Sequence, residues 1–142
     1  MLDCDGGHNA DGDDSGAGNW QVSVSGTIAE DWVDGDHAAV LAVHSSGRFL
    51  YAGLRCSVRI AVIRFSDLSP VTAIPYGGHW PRHLCVIPAS VIHGRLRADL
   101  LLVANQLSST VAAFRLDAAT GIPHPLGSPV EVASPTFLLP VL

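Results

Sequence analysis

Two stretches decide the fold: "LYAGLRCSVRIAVIRFS" (Leu50–Ser66) and "LLVANQLSSTVAAFRLD" (Leu101–Asp117). They align without a gap at an offset of 51 residues. Each reads as an apolar run, a polar turn and a second apolar run. Each second run closes on an arginine followed by an apolar residue, Arg64–Phe65 and Arg115–Leu116. Upstream the offset is 44, which lays "AAVLAVH" on "HLCVIP" with Ala39 on His83 and His44 on Pro88. The difference is an insertion of seven residues within "ASVIHGRLRAD" (Ala89–Asp99), expected to be a loop. A third copy begins at "SPTFLLP" (Ser134–Pro140), where Pro135 matches Pro81. A repeat of about 45 residues holding four short strands is what a propeller blade looks like.

The strands read the same way one by one. "WQVSVSG" (Trp20–Gly26) alternates with period two, and "AAVLAV", "FLYAG", "RIAVIRF", "PVTAI", "HLCVI", "LLLVAN", "TVAAFRL" and "PVEVA" follow. Each is bounded by Ser, Gly, Pro, Asp or Asn. No segment carries a helical apolar stripe over 11 or more residues, so the expected class is all-β. The expected architecture is a partial β-propeller of four-stranded antiparallel blades, about two blades with flanking strands, over 20–142. Residues 1–19, rich in Gly and Asp without periodicity, are expected to be flexible. A calcium loop starting at Asn9 would need Gly and Glu where Asp14 and Trp20 stand.

Composition bounds the function. Of 142 residues 48% are hydrophobic and 15% charged, the net charge is −5, and all eight basic residues are Arg. Such a chain lacks the basic character of a nucleic-acid binder. Its apolar runs are far shorter than the roughly 20 residues of a membrane-spanning helix. Its acidic start has no signal-peptide core. Three cysteines, Cys4, Cys56 and Cys85, form no CxxC and suit a reduced compartment. The expected location is cytoplasmic.

Four motifs together are specific: "GRFLY" with Arg55 behind it, "WPRH" (Trp80–His83), "VANQ…STV" (Val103–Val111) and "DAATG…GSPVEV" (Asp117–Val132). The set resembles the C-terminal end of the lactonase family of seven-bladed β-propellers. That family includes the bacterial 6-phosphogluconolactonases of propeller type and the fungal carboxymuconate-cyclising enzymes. The resemblance covers about Val22 to Leu142. It departs at Leu54–Arg55, where the family usually has Asn-Arg, and at Ser45–Ser46–Gly47, where it has a proline turn. The upstream blades, which in the family supply a catalytic-site Glu and His, are expected to be missing, making this a C-terminal fragment.

In a meander blade the B–C and D–A loops share one rim. Arg55 and Gln106 then lie in successive B–C loops, and Arg82 at a D–A junction beside them. The resemblance implies hydrolysis of a sugar-acid lactone without metal or other cofactor. It points to Arg82 and Arg55 as site residues, suited to clamp an oxyanion or polarise the carbonyl. His83 is a candidate base, and Gln106, His79 and Trp80 are candidate substrate contacts. Each has a structural alternative: a rim ion pair for the arginines, a half-buried His83, a loop-capping Gln106, a Trp80 wedged between blades. His79 and His83 flank Pro81 in extended chain about 13 Å apart, too far to share a metal with bonds near 2 Å. Cys56, behind Arg55, could carry an activated thiol. Ser45 and Ser46 sit on the other rim without a nucleophile elbow. The competing reading is a non-catalytic propeller module or pseudo-enzyme binding a sugar acid or a protein partner, or a truncated product without activity. Exposed blade flanks are expected to drive self-association.

Overall fold

A computed structural model describes residues 36–91 and 97–141. The expected flexible segment 1–19 and the strand expected at Trp20–Gly26 lie outside the described residues. Two antiparallel sheets follow one another. The first is β1 (Ala38–Val43), β2 (Phe49–Leu54), β3 (Arg59–Arg64) and β4 (Pro70–Pro75), paired in that order. The second is β5 (Pro81–Ile87), β6 (Leu100–Asn105), β7 (Thr110–Leu116) and β8 (Pro123–Pro125), with β9 (Val130–Glu131) also paired to β7. A single 3₁₀ turn, Ala89–Val91, is the only helical element among the described residues.

The repeat is obeyed in the register. Leu50 pairs with Ile63 and Leu101 with Phe114; Leu54 pairs with Arg59 and Asn105 with Thr110. It extends to the backbone, because the two β2–β3 and β6–β7 turns both end in a left-handed residue, Val58 (φ 58°) and Ser109 (φ 50°). The outermost strand of the second sheet departs from expectation. Proline at 123, 125 and 129 and Gly127 at φ 71° break it into β8 and β9, since proline cannot donate to a continuous ladder. At "SPTFLLP" the third copy forms no strand; instead Phe137 stacks on the His83 ring at 4.2 Å and the Leu138 amide donates to His83 Nδ1.

The two inner strands pack against one another. One core cluster fills the seam, with Phe49, Tyr51, Ile60 and Val62 from the first sheet and Leu84, Leu101, Val103 and Phe114 from the second. A second cluster, Ala52, Leu54, Ala61 and Ile63, lies on the other face of the first sheet. Central strands buried on both faces explain why "LYAGL" and "IAVI" read as near-continuous apolar runs.

At one rim the sheets are clasped. Tyr51 donates to the Gly121 carbonyl at 2.9 Å and Arg48 donates to the Ala118 carbonyl. His44 Nδ1 accepts from the Ser46 amide at 3.1 Å, which places the imidazole hydrogen on Nε2, facing Asp99 Oδ2 at 3.8 Å. Both side chains are buried. Burial pushes the Asp99 carboxyl up. Hydrogen bonding from Ser45 and the Ala89 amide, with the His44 ring beside them, outweighs this and holds it below the ordinary carboxylate value. A depressed folded value means the contribution to stability is complete above the unfolded value near ~3.9 and is lost as pH falls through the folded one. Asp99→Asn should therefore cost about 1–3 kcal/mol at neutral pH. Its deficit against the unmodified chain should shrink on acidification below the carboxylate range. Urea unfolding at the two pH values measures this, and a deficit independent of pH would show that the carboxylate charge is not what matters there.

Candidate functional site

The opposite rim is built from the entrance to β1 (Asp36–His37), the β2–β3 turn, the Tyr76–Trp80 crossover and the β6–β7 turn. Backbone bonds lock these together: the Arg55 amide donates to His37 at 3.2 Å, and the Gln106 and Leu107 amides donate to Trp80 and His79 at 3.0 and 3.3 Å. The His79 amide donates to Ser108 Oγ at 3.0 Å. The crossover is tight. Gly77 takes φ 69° and Trp80 takes φ 63°, an unusual conformation for a residue with a side chain and one that stores strain. Gly78 must be glycine for another reason: an added Cβ would lie 2.1 Å from Asn105 Nδ2.

The structure brings several candidates together. The Arg55 guanidinium lies 5.3 Å from the Trp80 ring centre, within cation–π range, and the His79 ring sits 6.5 Å from the same ring. Gln106 joins them through its backbone, and its side chain is half-buried. Arg82 occupies the register shift between Pro81 and His83, a β-bulge in the innermost strand. Bulges re-aim side chains, and Arg82 is exposed with no hydrogen bond or ion pair to any described residue. His83 points elsewhere, onto the face where it meets Phe137 and Leu138. Burial there pushes its pKa down.

Sequence reasoning missed Asp36 and Tyr76. Asp36 Oδ1 accepts the Cys56 and Ser57 amides, each at 2.9 Å. Burial pushes this carboxyl up, but Ser57, the Cys56 amide and the Arg59 charge hold it below its ordinary value. Tyr76 is fully buried, and burial raises its hydroxyl to about 12, with the Trp80 backbone opposing and the Asp36 and Cys56 charges adding. Asp36 Oδ2, Arg55 Nε, the Tyr76 hydroxyl and Asn105 Oδ1 are buried without a well-formed hydrogen bond among the described residues. The offset of 44 was the available signal, since it sets Asp36 on Trp80. Buried unpaired polar groups are costly; these lie at this rim, while His44 Nε2 and Asp99 Oδ2 on the clasped rim are also without a hydrogen bond.

A sequence profile of the lactonase family, described as a seven-bladed β-propeller, matches residues 16–140. The chain belongs to that family. Among solved structures it is similar to the periplasmic gluconolactonase of Pseudomonas aeruginosa, with 26% identity over 76% of this chain and 29% of that one and a TM-score of 0.58. A Lactobacillus plantarum protein gives 24% identity over 76% and 30%, at 0.62. A provisionally assigned 6-phosphogluconolactonase from Bacteroides fragilis gives 23% over 70% and 27%, at 0.58. The chain thus spans under a third of the length of these structures. No curated protein matches it.

The two sheets are therefore two blades of the lactonase propeller, and the Asp36–Arg55–Trp80–Gln106 cluster spans both. Gly78→Ala should destabilise the chain by about 1–3 kcal/mol through overpacking on Asn105. Gly78→Ala should cost less in an Asn105→Gly background, which also removes the Asn105 Cβ 2.8 Å from the added one, and part of the loss should be recovered in urea unfolding. No recovery would mean that Asn105 is not the residue Gly78 makes room for.

Proposed function

We propose that this lactonase-family chain acts on a sugar-acid lactone through the rim that carries Arg55 and Arg82. What supports this is membership of the lactonase family, together with a rim on which Arg55 is stacked on Trp80, Gln106 sits in the matching turn of the next blade and Arg82 stands exposed at the start of β5. Lactone hydrolysis adds water to the ring carbonyl, passes through a tetrahedral oxyanion, and breaks the ring C–O bond to leave a hydroxy carboxylate and a proton. A guanidinium near that oxygen stabilises the oxyanion, and a second binds the anionic group of a phosphorylated or carboxylated sugar. Arg55 is steadied by Trp80, whereas Arg82 is unencumbered. Gln106 has both donor and acceptor for sugar hydroxyls.

The test is hydrolysis of glucono-δ-lactone and its 6-phosphate by the chain, measured above the spontaneous rate. Arg82→Ala should lower kcat/KM by about 10²-fold or more while leaving thermal unfolding unchanged, since Arg82 has no described partner. A second reading has support from Leu54, which occupies in the first blade the position of Asn105 in the second and so removes an amide from the rim. If hydrolysis never exceeds the spontaneous rate but gluconate or its phosphate binds and Arg82→Ala abolishes that binding, the chain is a binding module.

We also propose self-association. Leu41 and Val43 on β1 are 58% and 52% exposed, and Phe137, Leu139 and Val141 at the other end are 65%, 76% and 92% exposed. Apolar groups at opposite flanks favour head-to-tail contact. Light scattering over a range of concentrations should give a mass above that of one chain, and Leu41→Lys with Phe137→Lys should lower it. A monomer at every concentration would overturn this.

A further inference from the structure

A cavity lies on the clasped rim, away from the Arg55–Trp80 cluster just discussed. It measures about 580 Å³ and sits between the β1–β2 turn of the first blade and the β7–β8 turn of the second. Phe49, Phe65, Val71 and Ile122 supply apolar walls, and Arg48 and Arg64 also line it. Its volume falls in the range of small-molecule sites, roughly 300–1,000 Å³.

Three observations say what it would hold. First, Phe65 is 53% exposed in a concave site, while the Phe49 ring is fixed at the floor against Gly121. Two aromatic surfaces suit a flat ring. Second, both guanidiniums are held before any ligand arrives. Arg48 donates to the Ala118 carbonyl and lies 5.6 Å from the Phe49 ring centre. Arg64 donates to Ser69 Oγ at 3.2 Å and pairs with Asp67 at 3.8 Å. Each engages only part of its five-donor fork, and a pre-positioned clamp loses little entropy on binding. Third, no acidic residue is among those lining the cavity. Asp67 offsets part of the Arg64 charge and Asp117 is spent on the Ala119 and Thr120 amides, so what remains for an anion is the unused donors of the two guanidiniums, and the apolar walls would leave the hydroxyls of a sugar unpaired.

We propose that this cleft binds a small aromatic carboxylate, with Arg64 and Arg48 on the carboxylate and Phe65 and Phe49 against the ring. This site is separate from the lactone reading and does not depend on it. The test is titration of the full chain with 1-naphthoate, followed by amide NMR. Saturable shifts should appear at Gly47, Phe65 and Thr120. Arg64→Gln should weaken binding at least about fivefold, the scale of one charge-assisted hydrogen bond. Neutral 1-naphthalenemethanol should bind at least as weakly as naphthoate binds that variant, and gluconate should leave these amides unmoved. Val71→Trp, which fills the cleft, should remove the shifts in a chain whose circular dichroism is unchanged. Non-saturating shifts, or equal binding of naphthoate by the unmodified chain and by Arg64→Gln, would overturn the proposal. So would equal binding of naphthoate and the neutral alcohol by the unmodified chain, which would leave only a greasy surface. Loss of lactone turnover in Arg82→Ala with naphthoate binding intact would separate the two sites.

Discussion

The seam between the two blades is the constraint on which the remaining geometry depends. The sheets approach so closely that glycine is required at both ends of the contact. A Cβ on Gly121 would lie 2.4 Å from a carbon of the Phe49 ring, and one on Gly53 would lie 2.8 Å from Leu84 Cδ1. Gly121 also takes φ 74°, so any other residue there would meet both a clash and backbone strain. Its carbonyl accepts the Tyr51 hydroxyl. A lone four-stranded sheet has little core of its own, and it is the Phe49–Tyr51–Leu101–Phe114 layer that makes two such sheets one body.

Once the seam is fixed, the two rims follow with opposite characters. On the clasped rim most polar groups bond to one another, although His44 Nε2 and Asp99 Oδ2 are left without a hydrogen bond. Ser46, Ser45, Ala89 and His44 attend to Asp99 or to each other, and Arg48 and Tyr51 cap carbonyls of the neighbouring blade. On the other rim the backbone is just as tightly bonded, but side-chain groups are left over: Asp36 Oδ2, Arg55 Nε and Asn105 Oδ1. The backbone supplies the rigidity there, and these unpaired atoms are buried within it.

Much of this was legible in the sequence because period-two alternation and an internal repeat are strong signals. The blade order, the turn positions and the placing of Arg55, Arg82 and Gln106 on one rim all follow from strand parity. What was not legible depended on fine geometry. The bulge that turns Arg82 outward is one residue of register, and nothing in "WPRH" announces it. Trp80 reads more readily as packing between blades than as a site residue, and the structure sets it against the Arg55 guanidinium. The outermost strand was placed at "PVEVA" by alternation, whereas the prolines at 123, 125 and 129 govern that edge and divide it. His83 gave no hint of its partner, because Phe137 lies 54 residues away along the chain and reaches it only through the propeller turn.

Strain and unpaired polarity coincide at the crossover. Trp80 is held in a left-handed conformation between Gly77–Gly78 on one side and Pro81 on the other. The Gln106 amide bonding to its carbonyl helps keep it there. A sequence selected for stability alone would place glycine at such a φ and would pair Asp36 Oδ2 with a donor. Departures of this kind from local consistency are expected where a surface must meet something outside the chain. The rim opposite meets one such position the other way: there the left-handed residue facing the neighbouring blade, Gly121, is a glycine, and its carbonyl is satisfied by Tyr51. Yet that rim also holds Leu68 at φ 55° and leaves His44 Nε2 and Asp99 Oδ2 without a hydrogen bond, so each rim keeps strain and polar capacity that the packing of the blades does not itself require.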